Sequence, residues 1–133
     1  MNSKKVGQLG ERIAKEYLQR KGYKILAKNF KRKWGEIDII AKKKSSFALR
    51  GATEDKDKII FFEVKTIQKK EGFLPEDEIG TKKKRQLLKM ALIYFCEQKI
   101  SLDTSYQIDI LAIELFEGKA KIRHLENAIE DRY

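Results

Sequence analysis

Apolar positions recur first at helical spacing. Val6, Leu9, Ile13 and Tyr17, joined by Gly10, Ala14 and Leu18, stand three or four residues apart, which predicts an amphipathic helix over residues 4–21. Ser3 is its expected N-cap and Gly22 its stop. The period then shortens. Residues 23–26 predict a short strand, 28–33 a basic turn, and 35–41, with Ile at 37, 39 and 40, a second strand. Residues 59–66 predict a third strand buried on at least one side, and the polar stretch 42–58 a long hairpin connection. Residues 68–80 hold the only proline, Pro75, and the acids Glu76, Asp77 and Glu78, and predict a loop. A second helix is expected over 81–99, with Leu87, Leu88, Ala91, Leu92, Phe95 and Cys96 as its apolar stripe. Two strands, 106–115 and 119–125, turned at Glu117-Gly118, complete the pattern. The order α-β-β-β-α-β-β implies an α/β fold with a mixed sheet flanked by helices, because the second helix lets the next strand run parallel to an inner one.

Length bounds this to one domain, residues 1–133. Charged residues are 38% and apolar ones 41%, enough for a core and against wholesale disorder. The net charge of +10 is unevenly spread: residues 1–44 carry 14 basic and 4 acidic side chains, residues 101–133 carry 4 and 7. A basic face for an anionic partner follows, with nucleic acid first. The alternative reading of the charge is a solvated surface that keeps the chain soluble. One cysteine, Cys96, excludes an internal disulfide and a thiolate cluster. One histidine, His124, leaves no multi-His metal centre and little room for a His-based triad. The longest apolar run, 90–96, is far short of a bilayer span, so no membrane association is expected and the cytoplasm is the expected location.

Four acid-x-Lys pairs occur, about what composition alone produces, but only Glu63 and Lys65 lie inside an apolar strand. Alternation places Phe61, Glu63 and Lys65 on one face and Glu36, Asp38 and Ile40 on one face of the preceding strand. If the two strands pair, Asp38 comes close to Glu63 and Lys65. Two carboxylates in an apolar setting cost several kcal/mol unless paired or metal-bound. Two resolutions stand open: a partly buried ion pair with Lys65, or a divalent cation such as Mg²⁺, which takes one or two carboxylates, water and phosphate oxygens. Glu11 and Glu16 lie at opposite borders of the first helix's apolar stripe, and periodicity does not choose which reaches the sheet. Lys82, Lys83, Lys84 and Arg85 load the first turn of the second helix against its dipole, an arrangement a bound phosphate would explain. Cys96 is expected in the core, Trp34 at a strand edge, and His124 in a structural role. Asp109 would support the active-site face or pair with a lysine.

The run Gly7-Gln8-Leu9-Gly10-Glu11, then Ala14 to Leu18, Gly22-Tyr23, Asn29-Phe30, Gly35-Glu36-Ile37-Asp38-Ile39-Ile40-Ala41 and Phe62-Glu63-Val64-Lys65 closely resembles the YraN family, small bacterial proteins regarded as candidate endonucleases. Similarity continues through 72–89, Ile108-Asp109-Ile110 and 124–129. The resemblance implies a restriction-endonuclease-like fold, related to archaeal Holliday junction resolvases, with the PD-(D/E)xK site pattern. It implies catalytic roles for Glu11, Asp38, Glu63 and Lys65. No proline precedes Asp38, and Ile67 and Gln107 stand where relatives often carry a basic residue. The expected activity is metal-dependent hydrolysis of nucleic-acid phosphodiesters, structure-selective on DNA, with Asp38, Glu63 and the Val64 carbonyl holding Mg²⁺ or Mn²⁺. Lys31, Arg32 and Lys33 with Lys82, Lys83, Lys84 and Arg85 are the expected phosphate contacts. DNA is expected ahead of RNA, and a homodimer is open. The rival is a noncatalytic nucleic-acid-binding module that keeps a nuclease-like fold.

Overall fold

The computed structural model describes residues 2–43, 58–68 and 74–129. Nearly all of the connection expected over 42–58 lies outside the described residues, as do Glu54 and Lys56. Helix α1 spans Ser3–Arg20, strand β1 Tyr23–Arg32, β2 Gly35–Lys43 and β3 Ile59–Gln68. A single 3-10 turn at Pro75–Glu78 precedes helix α2, Thr81–Glu97, and strands β4, Tyr106–Phe116, and β5, Lys119–Leu125. The strands form one sheet in chain order, β1-β2-β3-β4-β5, with only the β3–β4 pair parallel. That pair is the one joined through α2, the crossover the sequence pattern allowed for a parallel strand.

Alternation along β3 sends Phe61 and Phe62 to opposite faces, and each meets a different helix. Phe61, with Ile40 and Ile108, packs against Leu87, Met90, Ala91, Tyr94 and Phe95 of α2. Phe62, with Ile39, Ala41, Ile60, Leu111 and Ile113, packs against Ala14 and Leu18 of α1. Burying each phenylalanine contributes about 2 kcal/mol, so both helices are fixed to the sheet. Helix α1 approaches closely because position 10 is glycine: a Cβ there would collide with the side chain of Thr66 on β3.

Several expectations change at this level. The N-cap of α1 is Asn2, whose side chain accepts from the Lys5 N–H at 2.9 Å, rather than Ser3. The basic stretch 28–33 mostly extends β1 instead of forming a turn; β1 is an edge strand, where lysines remain solvated and discourage edge-to-edge pairing. The buried stripe of α2 runs through Met90 and Tyr94, so Leu92 and Cys96 point to solvent and Cys96 is exposed rather than in the core. Trp34 sits in the β1–β2 turn, 46% exposed, instead of covering a strand edge. Among the described residues no helix is long and apolar enough to cross a membrane.

Candidate metal centre and basic face

The β2–β3 ladder runs from Lys42 opposite Ile59 to Ile39 opposite Phe62. Beyond it a side chain takes the place of backbone pairing: the Val64 N–H donates to Asp38 Oδ2 at 2.8 Å. Asp38 is thereby fixed where the two strands part. On its other side, β1 pairs Lys28 with Ile39 and Phe30 with Ile37, leaving Asn29 opposite Asp38. Asn29 adopts left-handed backbone at φ 52°, a conformation asparagine tolerates better than most residues. This kink breaks simple alternation. Ile37 and Ile40 both enter the α2-side core, so Ile40 does not share a face with Asp38 and Glu36 as expected. Instead, carboxylate oxygens of Glu11, Glu36 and Asp38 gather within 4.8 Å of one another.

Helix α1 therefore delivers Glu11, not Glu16, to the sheet; Glu16 remains exposed. Asn29 binds the cluster together. Two carboxylates face its amide, so the nitrogen is the atom turned toward them, donating to Glu11 Oε1 at 2.7 Å and Glu36 Oε1 at 3.2 Å. Glu11, Glu36 and Asp38 line a cleft of about 630 Å³ that also takes in Val64, Lys65 and Glu78.

Glu63 completes the constellation from within β3. It is 7% exposed; Lys83 Nζ of α2 stands 3.6 Å from Oε1, while Oε2 is buried without a hydrogen-bond partner among the described residues. Burial raises the Glu63 carboxyl to about 8, and the charge of Asp38 pushes the same way, against the pull of Lys83 and Lys65. Burial also raises Asp38 to about 6, opposed by the Val64 N–H, with Glu11 and Glu36 adding to the rise. Glu11 is raised by burial and by Glu36. Carboxylates crowded in this way hold protons that a cation would replace.

Lys65 does not pair with Glu63 or Asp38, the ion pairs that would have made the site self-contained. Its ammonium reaches Glu78 of the 3-10 turn at 2.6 Å, across the cleft. Such a half-exposed pair contributes at most about 1 kcal/mol, leaving the lysine available to a phosphate. The donor set around Asp38 is oxygen only, which suits hard divalent cations such as Mg²⁺ or Mn²⁺ and not a thiolate-seeking metal. Together with the orphaned Glu63 oxygen, it fits the cation expected from the sequence.

Of the basic residues, Lys31, Lys33, Lys82, Lys84 and Arg85 are exposed. Arg32 is engaged by Glu97 through two hydrogen bonds, at 2.6 and 2.8 Å, and Lys83 faces Glu63. Gln86 Nε2 donates to the Trp34 carbonyl at 2.6 Å, docking the β1–β2 turn onto α2 and bringing both basic segments to one side. Asp109 belongs elsewhere. Fully buried, it accepts from Gln107 and from the Asn127 N–H, and its Oδ2 lies 2.7 Å from His124 Nε2, while His124 Nδ1 lies 3.2 Å from the Tyr17 hydroxyl. It neither supports the carboxylate cluster nor pairs with a lysine; it ties β4 to β5 and α1.

The sequence pattern alone does not mark Asn29, Glu78 and Lys83 as parts of the carboxylate site. An asparagine inside a strand, able to take left-handed backbone, was the available signal for the first. The other two reach the site only through tertiary packing.

Comparison with known proteins places the sequence in a group. The sequence model of the uncharacterised protein family UPF0102 matches residues 10–113. A UPF0102 protein of Caldanaerobacter subterraneus subsp. tengcongensis is 38% identical, covering 96% of this chain and 97% of its own. One from Alkaliphilus oremlandii is 35% identical over 95% and 98%. One from Clostridioides difficile is 35% identical over 96% and 99%.

Proposed function

The chain belongs to the uncharacterised protein family UPF0102, the YraN family, and from that premise and its carboxylate cleft we propose a metal-dependent endonuclease that hydrolyses nucleic-acid phosphodiesters, structure-selective on DNA. The observation that carries this reading is the buried Oε2 of Glu63, which has no hydrogen-bond partner among the described residues and feels the charge of Asp38, itself one of the Glu11, Glu36 and Asp38 cluster. A stack of carboxylates with too few donors is unfavourable to folding unless something cationic binds it. The same feature suits a site for Mg²⁺ or Mn²⁺.

Asp38, Glu63 and the Val64 carbonyl would hold the cation, with Glu11 and Glu36 orienting its water shell. When bound, it would polarise the phosphate and lower the pKa of the attacking water. The chain's own residues supply the rest. The Val64 N–H holds the Asp38 carboxylate in one orientation. Asn29 holds Glu11 and Glu36 in register with it. Lys65, leaving Glu78, would place its ammonium against the phosphoryl oxygens, where charge builds in the transition state. Lys31, Lys33, Lys82, Lys84 and Arg85 would contact phosphates without reading bases, which favours recognition of shape over sequence.

Cleavage of labelled branched, single-stranded and duplex DNA with Mg²⁺ or Mn²⁺ tests the reading. Asp38→Ala is expected to lower the rate at least about 100-fold, the scale of losing a group that stabilises transition-state charge. Full metal-dependent cleavage by that variant would remove the assignment. Salt-sensitive binding with no cleavage by the unmodified protein would replace it with a noncatalytic binding module.

A further inference from the structure

Trp34 is the chain's single tryptophan, and it stands on a turn with its ring open to solvent. A single exposed apolar side chain is ordinary on a protein surface; what sets Trp34 apart is its rigid mount and the cations beside its ring. The mount is rigid for a local reason. Gly35 takes φ 156°, and a Cβ there would lie 2.7 Å from Gln86 Cγ, so glycine lets the turn seat against α2 while Gln86 holds the Trp34 carbonyl.

Cations surround the ring. Lys89 Nζ lies 5.1 Å from its centroid and Lys33 Nζ 5.9 Å. No acidic residue occurs in 28–35 or in 81–89, the two segments that meet here. A flat ligand that carries negative charge beside its ring fits this chemistry; a nucleotide base with its phosphates is such a ligand. Stacked bases of a duplex do not offer their faces, whereas unpaired bases do.

We propose that Trp34 is a stacking platform for an unpaired base of single-stranded nucleic acid, with Lys33 and Lys89 passing from the indole to the flanking phosphates. Its position also joins it to the carboxylate cleft. Trp34, in the turn before β2, precedes Asp38 by four residues, about 13 Å of extended chain. Along α2, Gln86 follows Lys83 by three residues, roughly 4.5 Å of rise, and Lys83 faces Glu63. Resting on the nuclease reading, the further consequence is that the preferred substrate carries an unpaired segment next to the scissile phosphate, as a flap or branch does.

Because this indole is the only one, its fluorescence reports the platform directly. The full chain in EDTA is titrated with an oligothymidylate of about 15 nucleotides and with a blunt duplex of equal length. The oligothymidylate is expected to quench the emission. Measured by anisotropy of labelled oligomer, Trp34→Ala weakens single-strand binding about tenfold, Trp34→Phe keeps most of it, and duplex binding changes less than about twofold. Far-UV circular dichroism checks that the variants keep the fold, which a side chain in an exposed turn should permit. Unchanged emission at saturating oligomer, or equal single-strand binding by Trp34→Ala, overturns the platform. The assay needs no cleavage, so quenching in a protein that never cuts DNA upholds the platform and removes only the nuclease. Cutting without quenching does the reverse.

Discussion

Glu63 shows at the scale of one residue why this cleft calls for a cation. Its folded carboxyl is raised, by burial first and Asp38 second, above the ordinary value near 4.5 to about 8. Between those values the folded chain binds more protons than the unfolded chain, so stability falls as pH rises and is greatest below about 4.5 as far as this group is concerned. In EDTA, the melting temperature should therefore drop by roughly 5–10 °C between pH 5 and pH 8.5. Glu63→Gln, which cannot ionise, should flatten most of that slope, and Mn²⁺ should raise the melting temperature of the unmodified protein more at pH 8 than at pH 5. A slope that survives Glu63→Gln unchanged would show that another group carries it. The acid itself was legible in the sequence, since Glu63 and Lys65 alone among the acid-x-Lys pairs interrupt an apolar strand. Its partners were not. Lys65 turns to Glu78, and Lys83 to Glu63, through packing of a 3-10 turn and a helix that strand alternation does not describe.

Between elements, the placement of Glu11 depends on how near α1 comes to β3. Gly10 sets that distance, because a methyl group would overlap the Oγ1, Cβ and Cγ2 atoms of Thr66. Gly10→Ala should cost about 1–3 kcal/mol by overpacking, read as a lower urea midpoint with unchanged slope. Thr66→Gly removes all three obstructing atoms, so adding it to Gly10→Ala should recover part of the loss despite its own cost in a strand. If the single variant is as stable as the unmodified chain, the contact is softer than the geometry implies. Element order followed from the two periods in the sequence, because apolar spacing of 3.6 and 2 survives in any packing, and the intervening helix allowed a parallel pair without saying which inner strand would take it. The kink at Asn29 did not follow. It reverses which face Ile37 occupies and turns Asp38 toward α1, and its cause is a left-handed residue opposed to the point where β2 leaves β3. The choice of Met90 and Tyr94 over Leu92 and Cys96 in α2 was likewise decided by the sheet, since the helix is apolar on more than one side.

Across the whole molecule, the charge of +10 acts through where its members are free. Docking of the β1–β2 turn on α2 brings the exposed Lys31 and Lys33 to the side of Lys82, Lys84 and Arg85, while Arg32 is occupied by Glu97 and Lys83 faces Glu63. Each ammonium that neutralises a phosphate releases counterions, so the logarithm of the DNA binding constant falls with that of salt by about 0.7–0.9 per contact. Lys82→Gln with Lys84→Gln should therefore lower this slope by roughly 1.5 and weaken binding to all sequences alike. Arg32→Gln should lower the slope less than either lysine change, since two hydrogen bonds hold that guanidinium on Glu97 and a phosphate would have to compete with the carboxylate. Titrations from about 50 to 200 mM salt, in EDTA to prevent cleavage, decide between this face and a surface charge that serves solubility alone. Equal slopes for the double variant and the unmodified chain would move the DNA to another face and leave the basic first turn of α2 without a ligand to offset its opposition to the helix dipole.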